Sequence, residues 1–273
     1  MKRERVVSWD GTELSTLTAG ESNRPAILFV PGWTMGAEVF AKQFDDLTDD
    51  FRIVSFDPRG QGESSKPSRG YTYQERAKDL RAIVEWIDQD DISIVSWSAG
   101  VLDHLALMDT LVPPLISAHV FVDGAPCTLI GKDNAWGWFT AEETAAKEFV
   151  IAPLADREAF NERFAKWMLE QQSVAAITWL KGISSQTPDW VATLTSAVSM
   201  FADYRSTLSG LSETSKVHFI VRDEWGSVAG TWQKQFAPNA TFKSFGRHIM
   251  FWERAQQFNQ LLRGMLFRNM CVK

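Results

Sequence analysis

The chain has 273 residues, of which 45% are hydrophobic and 23% are charged, the proportions of an ordinary globular protein. Its 28 Lys and Arg against 34 Asp and Glu give a formal net charge of −6, which excludes the basic field that nucleic acid or an anionic membrane would attract. The composition also excludes a disordered chain, a collagen-like repeat and a bundle of membrane helices, and the length predicts one or two domains.

The predicted elements begin with a hairpin and continue as strands that alternate with helices. Asp10-Gly11 separates two strand-like segments and predicts a tight turn. Short apolar runs predict buried strands, and apolar residues three and four positions apart predict helices. In chain order the predicted strands are 6–9, 13–18, 26–30, 52–56, 92–96, 118–122, 216–221 and 240–245, and the predicted helices are 37–47, 73–87, 99–111 and 251–266.

This alternation predicts an α/β protein with a mostly parallel sheet that is covered by helices on both faces. The pattern breaks near residue 127, and from there to about residue 205 the chain shows helical stretches and no clear strand. We therefore predict a core made of residues 1–126 and 206–273, and a helical cap, residues 127–205, at one end of the sheet.

The sequence also bears on the location of the protein. It contains no run of 18 apolar residues, and no apolar segment follows its charged start, so neither a membrane span nor a signal peptide is expected. Its two cysteines, Cys127 and Cys271, form no disulfide framework and no metal-binding spacing. We expect a protein of a reducing compartment, the cytoplasm by default, with no membrane or nucleic-acid partner.

The segment Ser96-Trp97-Ser98-Ala99-Gly100 carries the main chemical signal. It joins a predicted buried strand to a predicted helix, so Ser98 lies on a tight turn at the carboxyl edge of the sheet. Small residues two positions before and after the serine allow this corner; the usual pattern is G-x-S-x-G, and here Ser96 takes the first position. The helix N-terminus favours negative charge that develops nearby. The segment predicts a nucleophilic Ser98, although a serine helix cap has the same pattern.

A serine nucleophile needs a base, and the chain has four histidines. His248 follows the last predicted strand, in a loop before the closing helix, which places it on the same sheet edge as Ser98. His248 is therefore the predicted base. The remaining histidines lie on a predicted helix or in predicted strands, where packing is expected, and they are His104, His119 and His218.

The tetrahedral oxyanion of such a reaction needs at least two backbone N–H donors. Ala99 offers one donor, directly after the serine. The second is expected from Trp33, which lies between Gly32 and Gly36 in the loop after the strand 26–30. Trp33 and Ala99 are the predicted oxyanion hole.

Four pieces of the chain resemble the α/β-hydrolase superfamily, and the resemblance covers nearly the full length. Where the family usually has His-Gly, this chain has Pro31-Gly32, which removes a loop-bracing histidine and leaves the N–H donors. The resemblance implies an α/β-hydrolase fold, with Ser98 as nucleophile and His248 as base. The sequence shows no metal-ligand cluster and no phosphate-binding loop, so no cofactor and no metal are expected. The four pieces are Pro31-Gly32-Trp33, Asp57-Pro58-Arg59-Gly60-Gln61-Gly62-Glu63-Ser64, Ser96-Trp97-Ser98-Ala99-Gly100 and Gly246-Arg247-His248.

The resemblance places the acid partner of His248 in one of two loops. The family most often carries this acid after the last strand but one, where Asp223 and Glu224 come slightly early in this chain. Some branches carry it directly after the strand that precedes the cap, where this chain has Asp123. We predict Asp123 as the acid, with Asp223 and Glu224 as the alternatives.

The 12 tryptophans, many of them in the predicted cap, favour a small hydrophobic or aromatic substrate. The same residues would also hold a cap against the sheet by ordinary packing. The residues predicted to bind the substrate are Trp97, Met35, Trp136, Trp138 and Trp179.

The favoured function is a serine hydrolase of a carboxylic ester or lactone that works through an acyl-enzyme. A second function follows from a likeness to the cofactor-free quinolone 2,4-dioxygenases, carried by Gly32-Trp33, the Ser96-x-Ser98 turn, the segment 73–79 and the acid before the cap. It implies that a His-Asp dyad deprotonates a 3-hydroxy-4-quinolone for reaction with O₂; those enzymes have a histidine where this chain has Thr34-Met35. The third is a non-catalytic receptor for a small molecule on the same scaffold.

Overall fold

The computed structural model describes residues 1–110, 116–131, 136–140 and 144–267, so Cys271 lies outside the described residues. Within them, eight strands form one sheet and two short strands form a separate pair. In chain order the strands are β1 (Lys2–Val7), β2 (Glu13–Ala19), β3 (Ala26–Val30), β4 (Arg52–Phe56), β5 (Ile92–Trp97), β6 (Ile116–Val122), β7 (Leu129–Ile130), β8 (Phe139–Thr140), β9 (Val217–Val221) and β10 (Thr241–Ser244).

The strand order in the sheet is β1-β2-β4-β3-β5-β6-β9-β10. The first two strands form the predicted antiparallel hairpin, and β2 is antiparallel to β4, while every later neighbour is parallel. The predicted mostly parallel α/β sheet is therefore confirmed. All its parallel strands point their carboxyl ends to one edge, and the loops that follow β3, β5, β6, β9 and β10 meet there.

The helices of the described residues cover both faces of this sheet. They are α1 (Ala41–Leu47), α2 (Tyr73–Ile87), α3 (Gly100–Thr110), α4 (Thr144–Ala155), α5 (Arg157–Met168), α6 (Val174–Ser185), α7 (Asp189–Ser199), α8 (Arg205–Thr214), α9 (Gly226–Phe236), α10 (Met250–Glu253) and α11 (Ala255–Leu266). A further 3-10 turn, Ala37–Phe40, precedes α1.

The core has two parts because successive side chains of a strand point to opposite faces. In β3, Leu28 belongs to a cluster with α2 and α3, and the adjacent Ile27 belongs to a cluster with α1 and α11. β3, β5 and β9 are buried along their whole length, which explains why β3 is an unbroken apolar run and why the other two are mainly apolar, with Ser93 and Ser96 in β5 and His218 in β9.

The structure differs from the predicted elements in several places. β1 is Lys2–Val7, whereas the predicted strand is 6–9. The predicted helix 37–47 begins as the 3-10 turn Ala37–Phe40. The segment predicted to lack strands contains β7 and β8, whose two residues each are too few to show a two-residue period. The structure adds α8 and α9; the second contains Gly226 and Gly230, which lower helix propensity. The predicted closing helix is divided into α10 and α11 at Arg254, whose φ of −119° and ψ of 44° are not helical.

The loop Asp57–Ser64, whose sequence matched the superfamily, braces the loop after β3. The Asp57 carboxylate accepts a hydrogen bond from the Ala37 N–H at 2.7 Å, and the Gln61 amide binds the backbone of Thr34 and Met35. Arg59 in turn forms a buried ion pair with Asp79 on α2, at 2.5 Å. This loop therefore holds the candidate oxyanion loop in place and contributes no reacting group of its own.

Helices α4 to α7 lie between β6 and β9 in the chain, and they pack in pairs, α4 with α7 and α5 with α6. The division into core and cap at residues 127 and 205 stays a prediction. Among the described residues, no helix combines the length and the apolar character that a membrane crossing requires.

Candidate active site

Ser98 lies on the sharp turn between β5 and α3, at the carboxyl edge of the sheet. Its φ is 57°, in the left-handed region that residues other than glycine rarely adopt. Two glycines allow the turn: a Cβ at Gly100 would lie 2.5 Å from the Pro31 carbonyl oxygen, and one at Gly124 would lie 2.5 Å from the Ser98 carbonyl oxygen. The geometry is that of a nucleophile elbow, with the strain expected of one.

Ser96, which replaces the usual first glycine of the elbow, belongs to a buried hydrogen-bond chain beneath it. Its Oγ lies 3.0 Å from His104 Nδ1, and His104 Nε2 lies 2.9 Å from His119 Nδ1. Burial lowers the pKa of His104, and it lowers the pKa of His119 to about 4, so both imidazoles are neutral at neutral pH. His218 hydrogen-bonds Thr241 within the sheet. These three histidines pack in the interior and do not line the cavity described below.

His248 reaches the same edge from the loop after β10. Its Nδ1 lies 2.5 Å from Asp123 Oδ2, and both side chains are buried. Because a carboxylate accepts, Nδ1 carries the proton and donates it, which leaves Nε2 as the nitrogen that can accept one. The Trp97 indole N–H donates to the His248 carbonyl oxygen at 2.8 Å and fixes the backbone of this loop.

Asp123 follows β6 with a φ of 42° and accepts two further hydrogen bonds from Arg222. The Arg222 backbone N–H donates to Oδ1 at 2.9 Å, and its guanidinium Nη1 donates to Oδ2 at 2.8 Å. The carboxylate is thus completely buried with an adjacent positive charge. Its oxygens are held by donors on both sides, which orients it toward His248.

The two alternative carboxylates are directed elsewhere. Asp223 Oδ2 accepts from the Gly246 backbone N–H at 2.9 Å, and so shapes the loop that carries His248. Glu224 pairs with Arg247 Nη2 at 3.1 Å, and its side chain is 58% exposed. Of the three candidate acids, the structure brings Asp123 to His248.

The charges around the dyad shift both of its pKa values downward. Burial would raise the pKa of Asp123, but the His248 hydrogen bond and the positive charges of His248 and Arg222 outweigh it and lower the pKa. Burial lowers the pKa of His248, Asp123 opposes this, and the nearby Arg222 charge lowers it further. At neutral pH the pair therefore consists of an ionised carboxylate and a neutral imidazole, the state in which a histidine acts as a base.

The loop after β3 brings the Trp33 backbone close to Ser98. A Cβ at Gly32 would lie 2.9 Å from Ser98 Cβ and 3.4 Å from Ser98 Oγ, so only glycine permits this approach. Within the described part of the chain, neither the Trp33 nor the Ala99 backbone N–H donates a hydrogen bond. Both residues line the same cavity as Ser98, so these two donors are available to an oxyanion.

A cavity of about 450 Å³ opens above Ser98, and His248 lines it as well. One wall is aromatic: the Trp33 ring lies 4.6 Å from that of Phe149 and 5.5 Å from those of Phe160 and Phe164. The Trp33 indole N–H is satisfied by the Ala192 carbonyl oxygen at 3.0 Å, which leaves an apolar surface toward the cavity.

The imidazole of His248 is enclosed by tryptophans. The Trp167 and Trp138 ring centroids lie 4.6 and 5.5 Å from it. The Arg222 guanidinium also lines the cavity and lies 3.6 Å above the Trp225 ring. These rings exclude water from the base and strengthen the electrostatic interactions around it.

Of the five residues predicted to bind substrate, Trp138 lines the cavity. Among the residues that the structure describes, the other four are not part of the cavity wall; they are Trp97, Met35, Trp136 and Trp179. Trp97, the last residue of β5, faces the core cluster that contains α1 and α11, where its ring packs on Phe40 and Phe251. Met35 is buried in the same core cluster. Trp136 is completely buried against Phe219 and Trp232, and Trp179 stacks on Trp252 at 4.9 Å. These four side chains lie outside the cavity wall for one reason: each of them packs between helices and strands in the interior.

Arg222, which pairs with Asp123 and lines the cavity, is the main residue of the site that the sequence does not predict. It lies directly after β9 and beside Asp223, one of the two alternative acids. A basic side chain at the carboxyl end of a buried parallel strand is the available signal, because such a residue reaches the edge where the site forms. Within the described residues, no group of three or more His, Cys, Asp or Glu could hold a metal ion.

Comparison with known proteins agrees with this geometry. A family model described as alpha/beta hydrolase fold matches residues 25–198. An esterase of known structure from Exiguobacterium antarcticum superposes with a TM-score of 0.88 at 16% identity, covering 97% of this chain and 99% of that one, which shows a shared fold.

Two curated relatives match shorter stretches. A non-heme chloroperoxidase of Streptomyces lividans is 25% identical over 130 residues, which are 47% of each chain. Epoxide hydrolase A of Mycobacterium tuberculosis is 29% identical over 131 residues, or 43% of this chain and 41% of the relative. The chain thus spans about half the length of the curated relatives that it matches.

Proposed function

The chain belongs to the alpha/beta hydrolase fold family, and on this premise we propose that it is a serine hydrolase of carboxylic esters or lactones with hydrophobic or aromatic substrates. The single observation that carries the proposal is the convergence of Ser98, the His248–Asp123 dyad and the Trp33 and Ala99 N–H groups on one cavity. The similarity to an esterase, an epoxide hydrolase and a chloroperoxidase supports an enzyme of this family.

In the first half of the proposed reaction, Ser98 Oγ attacks the ester carbonyl carbon and His248 Nε2 takes the hydroxyl proton. The imidazolium that forms is stabilised by Asp123, whose own negative charge is already present at neutral pH. The carbonyl oxygen becomes an oxyanion that receives hydrogen bonds from the Trp33 and Ala99 N–H groups. The tetrahedral species then loses its alkoxide, which takes the proton from His248.

In the second half, a water molecule replaces the alcohol. His248 Nε2 takes a proton from the water as it attacks the acyl carbon, and the ester bond to Ser98 Oγ breaks with return of that proton to the serine. The net reaction consumes one ester and one water and gives one carboxylic acid and one alcohol. In a lactone both products remain in one molecule.

The aromatic wall of the cavity supports a substrate with an apolar or flat body. Trp33, Phe149 and Phe160 offer ring faces and edges within 6 Å of one another, which favours stacking over ionic recognition. Phe149 and Phe160 lie on α4 and α5, so residues 127–205 in our proposal act as a cap that closes the site from above.

Labelling with a fluorophosphonate tests the proposal directly. The reagent should phosphonylate Ser98 Oγ, because attack at phosphorus uses the same base and the same oxyanion donors as attack at an ester carbonyl. Mass spectrometry of the digested protein should show one adduct, on the peptide that contains Ser98. Labelling at another serine, or none, would contradict the assignment of the nucleophile.

The pH dependence of turnover tests the assignment of the base. Because His248 must be neutral to accept a proton and its pKa lies below the ordinary value of 6.5, kcat/KM should fall on the acid side with a midpoint below pH 6.5. In Arg222→Gln the midpoint should move to higher pH, since the charge that disfavours the imidazolium is gone.

Arg247→Gln is the matched control for that profile. Arg247 is next to His248 in the chain, but its guanidinium pairs with the exposed Glu224. The midpoint of this variant should match that of the wild type. A downward shift in Arg222→Gln, or equal shifts in both variants, would contradict the proposed influence of Arg222 on the base.

The cofactor-free dioxygenase remains the second candidate, and the aromatic rings within 5.5 Å of the His248 imidazole favour it. In that reaction the dyad alone removes a proton from a 3-hydroxy-4-quinolone, and Ser98 is not needed. An oxygen electrode distinguishes the two: the dioxygenase would consume O₂ with the quinolone in Ser98→Ala and lose this activity in His248→Ala. A non-catalytic receptor would bind such ligands without turnover of either kind.

A further inference from the structure

One end of the cavity differs from the aromatic wall because it is lined by polar side chains. We call this the polar end and define it by Tyr73 and Arg76 on the first turn of α2, Thr128 before β7, and Ser199 at the end of α7. Each residue is more than nine-tenths buried, with exposures of 4, 7, 3 and 9%. Polar groups at this depth require partners.

Contacts between neighbouring elements show that these residues share one region. Arg76 Nη2 donates to Asp103 Oδ2 on α3 at 2.6 Å. The Tyr73 ring lies 6.1 Å from that of Tyr204, and the Thr128 N–H donates to the Ala202 carbonyl oxygen at 3.2 Å. The polar end therefore lies where α2 and α3 meet the segment after α7.

The polar end has more hydrogen-bonding capacity than the protein uses. Within the described residues, Arg76 makes a single side-chain hydrogen bond, although a guanidinium has five N–H donors. Among the same residues, the Tyr73 hydroxyl makes none and the Thr128 Oγ1 atom is buried without a partner. Unused donors that line a cavity are suited to an acceptor on a ligand.

The charge at the polar end is already balanced. Burial raises the pKa of Asp103 to about 6 and the Arg76 charge opposes that rise, so at neutral pH a carboxylate faces the guanidinium. An incoming anion would meet the positive charge of Arg76 together with the negative charge of Asp103. A neutral acceptor meets the free N–H and O–H donors without that repulsion.

Ser98 and the polar end line the same cavity, and so does Leu102 on the first turn of α3. Asp103 follows Ser98 by five residues, which is about one and a half turns of helix. The leaving group takes its proton from His248, which is enclosed by Trp138 and Trp167, whereas Arg76 lies beside α3. We therefore assign the acyl group, which is bonded to Ser98 in the proposed intermediate, to the part of the cavity that Arg76 lines.

We propose that the polar end is an acyl-chain subsite for a neutral hydrogen-bond acceptor, so that the preferred substrates are esters or lactones with a ketone or amide carbonyl a few bonds from the scissile one. This subsite rests on the proposed hydrolase function. Arg76 and the Tyr73 hydroxyl donate to the acceptor, and the aromatic wall covers the apolar part of the chain.

Two phenyl esters of equal length test the subsite: phenyl hexanoate and phenyl 5-oxohexanoate. Hydrogen bonds to a charged donor contribute enough to change kcat/KM tenfold or more, so the wild type should prefer the oxo ester by about tenfold or more. Monophenyl glutarate, with a terminal carboxylate, should rank below the oxo ester. If monophenyl glutarate were hydrolysed fastest, the proposed preference for a neutral acceptor would be wrong. If phenyl hexanoate and phenyl 5-oxohexanoate were hydrolysed at equal rates, the proposed subsite would be wrong.

Three variants identify the residues that cause the preference. Tyr73→Phe should reduce the preference about threefold, since only one donor is lost. Arg76→Met would leave Asp103 unpaired and buried, so it is combined with Asp103→Asn; the double variant should hydrolyse both esters at similar rates. Arg81→Met, on the exposed side of the same helix, should keep the wild-type preference. Retention of the preference in the double variant would overturn the assignment.

Binding to Ser98→Ala separates this proposal from the hydrolase function. The fluorescence of the cavity tryptophans gives Kd for both esters without turnover, and the oxo ester should bind about tenfold more tightly. If no ester is hydrolysed but this preference is seen and depends on Arg76, the subsite stands and the hydrolase function fails. If Ser98-dependent hydrolysis occurs without a preference, the hydrolase function stands and the subsite fails.

Discussion

Replacing Ser98 with alanine is expected to lower kcat for ester or lactone hydrolysis by about a millionfold, to the residual rate that binding and the oxyanion hole provide. In the proposed mechanism, the variant lacks the Ser98 Oγ atom that forms the acyl bond. It leaves the His248–Asp123 hydrogen bond and the cavity walls in place, because neither depends on the Ser98 hydroxyl. Steady-state kinetics with a phenyl ester, together with the unfolding temperature, measures the two effects separately.

Ser93→Ala is the matched control, since Ser93 lies on the same strand as the elbow and is 7% exposed, but does not line the cavity. It should keep kcat within about a factor of ten, because the Ser93 hydroxyl does not line the cavity in which the reaction is proposed to occur. Full ester turnover in Ser98→Ala would exclude an acyl-enzyme on this residue. Loss of ester turnover together with O₂ consumption on a quinolone would favour the dioxygenase.

The second large effect is expected for Asp123→Asn, which should lower kcat/KM by about four orders of magnitude. The carboxylate receives three N–H donors, from His248 and from the Arg222 main chain and side chain. In asparagine one of the two oxygens becomes an NH₂ group, so at least one of these donors must face another donor: the Arg222 backbone N–H if the NH₂ group replaces Oδ1, or both His248 and the Arg222 guanidinium if it replaces Oδ2. If the NH₂ faces His248, the imidazole must accept at Nδ1 and carry its proton on Nε2, where it no longer accepts from Ser98.

Asp123→Asn should also destabilise the protein by about 3–5 kcal/mol, because the buried Arg222 loses its buried counter-charge and keeps only the more distant, exposed Glu224. Denaturant unfolding measures this change. Adding Arg222→Met removes the unpaired cation, so the double variant should recover stability while its activity stays low. Recovery of activity with stability would mean that Asp123 is only structural.

Asp223→Asn and Glu224→Gln serve as controls for the choice of acid. Within the described residues, the Asp223 side chain accepts only from the Gly246 backbone N–H. The exposed Glu224 pairs with Arg247 at 3.1 Å and, at 3.5 Å, with the buried Arg222. Both variants should keep kcat/KM within about tenfold of the wild type. Near-normal turnover in Asp123→Asn, with loss in either of these two, would show that the acid has been misassigned.

The elements of the sheet were predictable from the sequence because their signals are local. β3, β5 and β9 are short apolar runs that end in turn residues, and each appears within one residue of its predicted range. The helix 73–87 matches its prediction, since apolar spacing continues to Ile87 and Thr72 caps its start with Glu75. α9 has no such signal, because two glycines and mixed polarity weaken both propensity and periodicity.

The elbow was predictable for the same reason. A strand, a small–x–Ser–x–Gly segment and a helix leave Ser98 few conformations, and its φ of 57° agrees with the strained turn that this pattern indicates. The position of His248 followed from the direction of parallel strands, whose carboxyl ends share one edge. These inferences need only the order of elements along the chain.

The choice among the carboxylates and among the tryptophans was decided by the tertiary structure. Asp123 and Asp223 both follow parallel strands at the correct edge, and only the packed loops show that one meets His248 while the other meets Gly246. Trp136 and Trp138 are two positions apart, yet Trp136 is buried beneath β9 and Trp138 faces the imidazole.

The sequence by itself thus determined the α/β sheet, the turn that carries Ser98 and the edge of the sheet on which His248 lies, because each depends on backbone preferences within a few residues. Only the tertiary structure decided the partner of His248, the role of Arg222 and the walls of the cavity. Those depend on side-chain directions between segments about a hundred residues apart, such as Asp123 and Arg222, and no local pattern encodes such directions. The physical reason is that close packing assigns each large side chain to one neighbour only after the elements have come together.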